Sequence, residues 1–242
     1  MSRIELYIAD IFNNAVCDPC WKRNDRNGLL KFYHLLLNPT PLKVTSADEL
    51  SNMLSSILTG GHHDSGFEGW LFAQTASALA SSNSHLVKGF LENPEANLLK
   101  LMEALGVPTG YKPLSQILLR GHSDYDPSNG VEIHPDGLRR TYENPSANDK
   151  QRIVFNTRRG VVGLERSLFR TKRGYLGLGS ETTQPGDSLC IVQGARVPYI
   201  FRPHHGEEGS YMKLEGEAYV HGIMHGEAFK TGSIEFQLTS VR

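Results

Sequence analysis

Apolar residues in the first half of the chain recur three or four positions apart, the spacing that brings side chains to one face of an α-helix. Ser46 and Glu49 have the spacing of a capping box, so a helix is predicted to begin after Ser46 and to end at Gly60-Gly61. The apolar face of this helix is predicted to comprise Leu50, Met53, Leu54, Ile57 and Leu58.

Two further helices are predicted in the same half. One runs from Phe67 to about Leu79, where alanine and serine permit close packing against a neighbour. The other begins at Asn93-Pro94, a capping side chain followed by a proline at the first helical position, and ends at Gly106. Together the three segments predict a small helical layer.

The middle of the chain is rich in turn-forming residues. Gly, Pro, Asp and Ser are frequent from about residue 110 to 128 and again from 144 to 150, which predicts loops or a linker. On this basis we expect a helical domain over residues 1–128 and a second domain over residues 129–242.

Beyond the middle, the apolar period changes from about four to two, as expected for β-strands. The short predicted strands are punctuated by Gly, Pro and Asp, and they lie near residues 167–171, 175–178, 188–192, 197–201, 211–214 and 218–221. Lys172–Gly174 and Gln193–Ala195 occupy positions expected of hairpin turns. We therefore predict an α+β fold, with an N-terminal helical layer packed on a small C-terminal antiparallel β-barrel.

The amino-acid composition limits the classes of partner that the protein is expected to bind. The 242 residues contain 25 Lys+Arg and 26 Asp+Glu, so the net charge near zero gives no overall attraction to nucleic acid or to an anionic membrane. No apolar run approaches the roughly 20 residues that span a bilayer, and the start lacks the apolar core of a signal peptide. We expect a soluble cytoplasmic protein whose three cysteines are reduced thiols.

One local run of charge departs from this balance. From Arg139 to Arg173 there are ten basic residues and three acidic ones. A phosphate-binding surface has this character, but aromatic residues are sparse in the run and no nucleic-acid-binding motif accompanies it. We interpret the run as a solvated face and predict no nucleic-acid partner.

Four blocks of the second half carry a family resemblance: Leu168–Gly179, Gln184–Asp187, Val197–Pro203 and Gly216–Glu227. In order and spacing they resemble the C-terminal region of fungal heterokaryon-incompatibility (HET) proteins. The resemblance implies a fungal origin and a shared fold for about residues 150 to 230. His225 stands where the family usually has an aspartate, and we find no motif of the N-terminal HET domain in the sequence.

Within these blocks, the glycines and the aspartate are expected to shape hairpins rather than to take part in chemistry. The residues concerned are Gly174, Gly177, Gly179, Gly186 and Asp187.

The densest group of titratable residues is His221, His225 and Glu227, and histidine is the side chain that titrates nearest neutral pH. On a strand, the even spacing would place these three residues on one side, although the two glycines in the segment favour a bulge or turn. His221 is the candidate acid or base, Glu227 its orienting partner and His225 an extra proton carrier. Tyr219 and Arg202 are candidate donors to developing negative charge.

Two other interpretations of this cluster remain open. His221 is also compatible with a hydrogen-bonded interior histidine, and His225 with a surface substitution. Zinc would require three or four ligands, which His221, His225 and Glu227 could supply with His204 or His205, but the spacing matches no zinc motif. Dinucleotide-binding and P-loop motifs are absent, so we predict neither a cofactor nor a metal.

Two functions follow from these observations. The first is a cofactor-independent enzyme of fungal secondary metabolism, which uses the predicted acid/base residues for isomerisation, dehydration or cyclisation of a small molecule in an apolar pocket. The alternative is a non-catalytic binding or regulatory module of heterokaryon incompatibility, with a protein partner. The sequence leaves open whether the protein is an enzyme.

Overall fold

The described part of the chain covers most of both predicted halves. The computed structural model describes residues 2–3, 26–37, 42, 44–62, 64–80, 83–106, 111–123, 131–134, 137–140, 147–163, 165–206 and 209–227. Two of the three cysteines, Cys17 and Cys20, lie outside these residues, whereas Cys190 is a free thiol as expected.

The described residues contain seven helices and nine strands. The helices are α1 (Arg26–Leu37), α2 (Ala47–Leu58), α3 (Phe67–Ala80), α4 (Ser84–Glu92), α5 (Pro94–Ala104), α6 (Lys112–Ser123) and α7 (Ala147–Val162). None of them is long and apolar enough to cross a membrane.

The predicted helix starts of α2 and α5 are confirmed by their capping contacts. The Ser46 hydroxyl accepts a hydrogen bond from the Glu49 N–H at 3.1 Å, and the Glu49 carboxylate accepts one from the Thr45 N–H at 3.2 Å. The Asn93 side chain accepts from the Ala96 N–H at 3.3 Å. The Glu49 and Ala96 N–H groups are donors of the first helical turn that have no partner within their helices, whereas the Thr45 N–H precedes α2.

The loop predicted over residues 110–128 is wrong for the segment that forms α6. Leu114, Ile117 and Leu118 have helical spacing and are buried. The sequence interpretation gave more weight to Pro113 and Gly121 than to this short stripe. Pro113 lies in the first turn, where the missing N–H costs nothing. Gly121 is needed for close packing, because a Cβ there would overlap the Glu68 carbonyl oxygen.

The loop predicted over residues 144–150 is also wrong from Ala147 onward, where α7 begins. Phe155 of α7 is fully buried, and its ring centroid lies 5.7 Å from that of Phe67 and 5.3 Å from that of Trp70. The predicted second domain thus contains a 16-residue helix that packs into the helical layer. The division at residue 128 stays a prediction.

The strands form three antiparallel sheets. They are β1 (Ser2–Arg3), β2 (Val131–His134), β3 (Gly137–Arg140), β4 (Arg166–Arg170), β5 (Leu176–Ser180), β6 (Ser188–Cys190), β7 (Tyr199–Gly206), β8 (Gly209–Glu217) and β9 (Tyr219–Val220). One sheet has the order β1-β6-β7-β8, a second pairs β2 with β3, and the third has the order β4-β5-β9.

The strands β4 to β9 fall at the positions that the period of two predicts, and the two expected hairpin turns are present. Gly174 and Gly194 adopt φ of 88° and 84° in these turns, a conformation that glycine reaches without strain. A register shift between Ile200 and Phe201 of β7 leaves Glu215 of β8 without a partner in the pairing, which marks a β-bulge in β8.

Two apolar cores lie on opposite sides of the β4-β5-β9 sheet. Leu168, Leu176 and Leu178 belong to the large core formed with the helices. Phe169 belongs to a smaller core between the sheets, with Leu189, Ile200, Ala218, Val220 and Ile223. Helices on one face and a second sheet on the other confirm the α+β fold.

Two glycines of β5 have a role other than the hairpin geometry predicted for them. A Cβ on Gly177 would lie 2.7 Å from the Phe169 ring, and one on Gly179 would overlap the Ile200 side chain. These glycines therefore leave space for the apolar side chains between the sheets.

Candidate functional site at the junction of helices and sheet

Tyr219 places the predicted site at the junction between the helical layer and the sheet. It lies on β9 and pairs with Leu178 of β5. Its half-buried ring packs against the turn that follows α2, because a Cβ on Gly61 would lie 3.2 Å from the Tyr219 ring. Burial raises the pKa of the Tyr219 hydroxyl, and the charge of Glu227 raises it further.

His221 follows β9 and is also half-buried. Its backbone N–H donates to the Leu176 carbonyl at 3.3 Å, which holds the residue against β5. Burial lowers the pKa of the imidazole, whereas the nearby charges of Glu227 and Glu49 act in the opposite direction. A carboxylate from α2 and one from the C-terminal segment therefore both act on this ring.

The segment from His221 to His225 is a turn, so the strand alternation considered for His221, His225 and Glu227 does not apply. Gly222 and Gly226 adopt φ of 82° and 80°, which only glycine tolerates easily. The Glu227 carboxylate accepts a hydrogen bond from the His225 N–H at 2.7 Å, while the His225 side chain is exposed. Glu227 thus closes the turn and also acts electrostatically on His221 and Tyr219.

Arg202 belongs to a different set of contacts. Its guanidinium binds both oxygens of Asp187, at 2.8 Å from Nε and 2.9 Å from Nη2, and donates to the Thr182 carbonyl at 2.7 Å. Glu215 lies 3.2 Å from Nη1. The Asp187 hydrogen bonds are the main reason why the pKa of Arg202 is raised. These contacts hold β7 to the turn before β6 and to β8.

Three residues at the junction were missed as site candidates: Glu49, Tyr111 and Arg170. The Tyr111 hydroxyl is buried and has no hydrogen-bond partner within the described residues. Burial raises the pKa of Tyr111, the charge of Arg170 lowers it and that of Glu49 raises it. Arg170 of β4 donates to the Leu35 carbonyl at the end of α1, at 3.2 Å. Glu49 relates this group to His221, because its charge acts on both the His221 ring and the Tyr111 hydroxyl, and the sequence pattern does not encode this proximity.

The junction offers an imidazole, two phenols and two carboxylates, a set that can exchange protons with a bound molecule. Among the described residues, no group of three or more His, Cys, Asp or Glu is arranged to hold a metal ion. A cavity of about 10 Å³, room for about one water molecule, lies elsewhere. It is lined by Ser65, Gly66, Gly69, Gly121, Asn148, Gln151 and Arg152, and by none of the predicted site residues.

The basic run is only in part the solvated face that we expected, since Lys150, Arg158, Lys172 and Arg173 are exposed. Arg152, Arg159 and Arg170 are buried. Arg159 lies over the Trp70 ring at 5.1 Å, and burial lowers its pKa to about 10. Arg158 binds the Asp64 carboxylate at 2.7 Å. Much of the local charge therefore serves packing and ion pairs within the fold.

These strands and motifs agree with a known domain. Residues 158–237 match the family model of the Het-6 beta-barrel domain. We call this matched segment the Het-6 barrel region. All strands from β4 to β9 lie in it, and so do the four blocks of the predicted resemblance. The resemblance to the C-terminal region of HET proteins is confirmed.

The chain has a curated relative in Neurospora crassa, "Heterokaryon incompatibility protein 6, OR allele". The two proteins are 42% identical over 58 residues, which make up 24% of this chain and 8% of the relative. The aligned segment is thus a small part of the Neurospora protein. No solved structure gives a significant match to this chain.

The polar side chain of Arg202 in the Het-6 barrel region has a structural role. Arg202 and Asp187 join two of the four blocks, and the Gln184 amide adds to this contact when its oxygen faces the guanidinium, at 2.7 Å from Nε. His221, from the last block, is also under the influence of the helical layer through the charge of Glu49.

Proposed function

We propose that this chain is a non-catalytic binding or regulatory module related to fungal heterokaryon incompatibility, and that its partner is a protein. The match of residues 158–237 to the Het-6 beta-barrel domain is the observation on which the proposal depends. The curated relative is named for heterokaryon incompatibility, which favours the same process. We place this activity in the cytoplasm.

The use of the polar side chains supports a binding role. Arg202 is held by Asp187 and the Thr182 carbonyl, and Glu227 by its bond to the His225 N–H. Groups held in this way shape the barrel and its last turn.

A pull-down with the tagged full chain from a fungal extract tests the proposal. We expect a HET-domain protein to be recovered and identified by mass spectrometry, and the complex to re-form from the two purified proteins. A parallel thermal-shift screen with polyketide- and terpenoid-like compounds is expected to show no stabilisation, since a ligand at 100 times its Kd would add about 2.7 kcal/mol. Stabilisation without a protein partner would contradict the proposal.

A second candidate function is a cofactor-independent enzyme that acts on a small molecule by acid/base chemistry. It is favoured by the proximity of His221, Tyr219 and Glu227, together with the lowered pKa of His221, which keeps the imidazole neutral and able to accept a proton near pH 7. In this case His221 is the base or acid, Glu227 orients it, and Tyr219 donates to developing charge.

The second candidate is tested with the double variant His221→Ala/Glu227→Gln and any compound that the thermal-shift screen identifies. Loss of turnover by about 10²-fold or more in a folded double variant is expected for an acid/base pair. Unchanged turnover would remove these two residues from the mechanism. His85→Ala on α4 is the control, because its side chain is exposed and it is not one of the candidate site residues.

A further inference from the structure

Helix α7 has an apolar surface on the side that faces away from the core. Ile153, Val154 and Val161 are 40%, 44% and 74% exposed, whereas Phe155 on the opposite side is fully buried. Large apolar side chains grouped on an exposed helix face are typical of a surface that binds a partner.

The exposed residues form one continuous strip. Ile153, Thr157 and Val161 are four residues apart and therefore lie on one line along the helix, with Val154 beside them. We define the α7 outer face as Lys150, Ile153, Val154, Thr157, Arg158 and Val161, all of which are exposed. A second amphipathic helix could pack its apolar side chains along this strip.

The charges of the α7 outer face have a single sign. Lys150 and Arg158 are its charged residues, and Arg158 forms an ion pair with the Asp64 carboxylate. Lys150 forms no ion pair within the part of the chain that the structure describes. Asp149, the acidic residue of α7, is buried and bound to Arg152 at 2.9 Å. The face is therefore complementary to an acidic partner.

The same charges disfavour two other occupants. In a pair formed by two copies of α7, Lys150 of each copy would find no exposed acidic residue on the other α7. A helix that lies on a membrane usually presents Trp, Phe or Leu and many cations. The α7 outer face has valine and isoleucine, no aromatic residue and two cations.

We propose that the α7 outer face docks an acidic amphipathic helix of a protein partner. The apolar residues of that helix pack on Ile153, Val154 and Val161, and its carboxylates lie near Lys150. This inference rests on the proposed binding function and names the surface that would perform it.

The test measures binding of a synthetic helical peptide to the full chain by fluorescence anisotropy. The fluorescein-labelled peptide has leucine at every third or fourth position and glutamate at the outward positions. We expect Val161→Ser and Lys150→Glu each to weaken binding at least tenfold. The matched controls are Leu99→Ser on α5, which is 56% exposed in the parent chain, and Lys88→Glu on α4, both expected to leave binding within twofold.

All four substituted side chains are exposed, so folding is expected to be retained and is checked by the midpoint of urea unfolding. The proposal is overturned if the acidic peptide does not bind, if a peptide with lysine in place of glutamate binds as tightly, or if the control variants weaken binding equally. It is also overturned if Val161→Ser abolishes self-association in sedimentation, or if Lys150→Glu abolishes binding to phosphatidylserine vesicles but not to the peptide.

The pull-down described above separates this inference from the proposed function. If Lys150→Glu and Val161→Ser leave the recovery of a HET-domain protein unchanged, the binding function stands and belongs to another surface. If no HET-domain protein is recovered but the peptide still binds, the proposed role in heterokaryon incompatibility is contradicted. The α7 outer face would then remain a docking surface.

Discussion

Arg202 and Asp187 form a bidentate ion pair across the Het-6 barrel region, with Nε 2.8 Å from Oδ1 and Nη2 2.9 Å from Oδ2. The Asp187 side chain is 1% exposed, and its Oδ2 also accepts from the Gln184 N–H at 2.9 Å. The pair connects β7 to the turn before β6. It makes Arg202 a structural residue of the barrel.

We predict that Arg202→Met lowers the free energy of unfolding by about 3–5 kcal/mol, because a buried carboxylate loses its partner. Arg202→Lys should recover only part of this loss, since an ammonium cannot reproduce the two parallel bonds. Urea unfolding followed by circular dichroism measures both changes. Arg173→Met is the control, because Arg173 is exposed in the β4–β5 turn. A loss below about 1 kcal/mol for Arg202→Met would show that the pair adds little.

The sheet region could be predicted from sequence to within a few residues. Short runs of alternating apolar residues are separated by Gly174, Gly186 and Gly194, and all three adopt positive φ in turns. Such signals are local, so they do not depend on the rest of the fold. The same turn-residue signal failed at α6, where Gly121 allows two helices to approach rather than ending one.

The close approach at Gly121 gives a second prediction. A Cβ at this position would overlap the Glu68 carbonyl oxygen and lie 2.8 Å from the Phe72 Cβ, so the helices must move apart. Gly121→Ala should therefore reduce the free energy of unfolding by about 1–3 kcal/mol, despite the better helix propensity of alanine. Thermal and urea unfolding measure the change.

Gly160→Ala on α7 is the matched control, because nothing lies within 4 Å of a Cβ placed there. Here alanine should add about 0.5–1 kcal/mol of stability, since it restricts the unfolded chain and favours the helix. If both substitutions changed stability in the same direction, the packing explanation for Gly121 would be wrong.

The candidate site was less predictable than the fold. His221, Glu227 and Tyr219 lie in one short segment, and the sequence could single them out by residue type. Glu49 and Tyr111 come from the helical layer, more than 100 residues earlier, and only the packing of the two layers relates them to His221. Periodicity predicts which face of an element is buried but not which element it meets.

The cap of α2 gives a third prediction. Ser46→Ala removes the acceptor of the Glu49 N–H and should cost about 1 kcal/mol, whereas Ser46→Gly should cost only a few tenths. Asn83→Ala is the control, because Asn83 occupies the same position at the start of α4 but makes no side-chain capping bond. Equal losses for Ser46→Ala and Asn83→Ala, measured by urea unfolding, would contradict the capping role.

The fourth prediction concerns the pH dependence of His221. Burial lowers the pKa of its imidazole in the folded protein, so the unfolded chain binds more protons as the pH falls below about 6.5. His221 therefore contributes a loss of stability below that pH and none above it. His221→Gln should therefore make stability depend less on pH between about 6.5 and 5.

Glu227→Gln should act in the opposite direction to His221→Gln. The Glu227 charge raises the pKa of His221 and so offsets part of the effect of burial. Without that charge, the pKa of His221 should fall further and the loss of stability on acidification should become steeper. The glutamine side-chain oxygen can still accept from the His225 N–H, so the turn is retained. NMR titration of the His221 ring measures this shift directly, and an unchanged or higher pKa in Glu227→Gln would show that the two side chains do not interact.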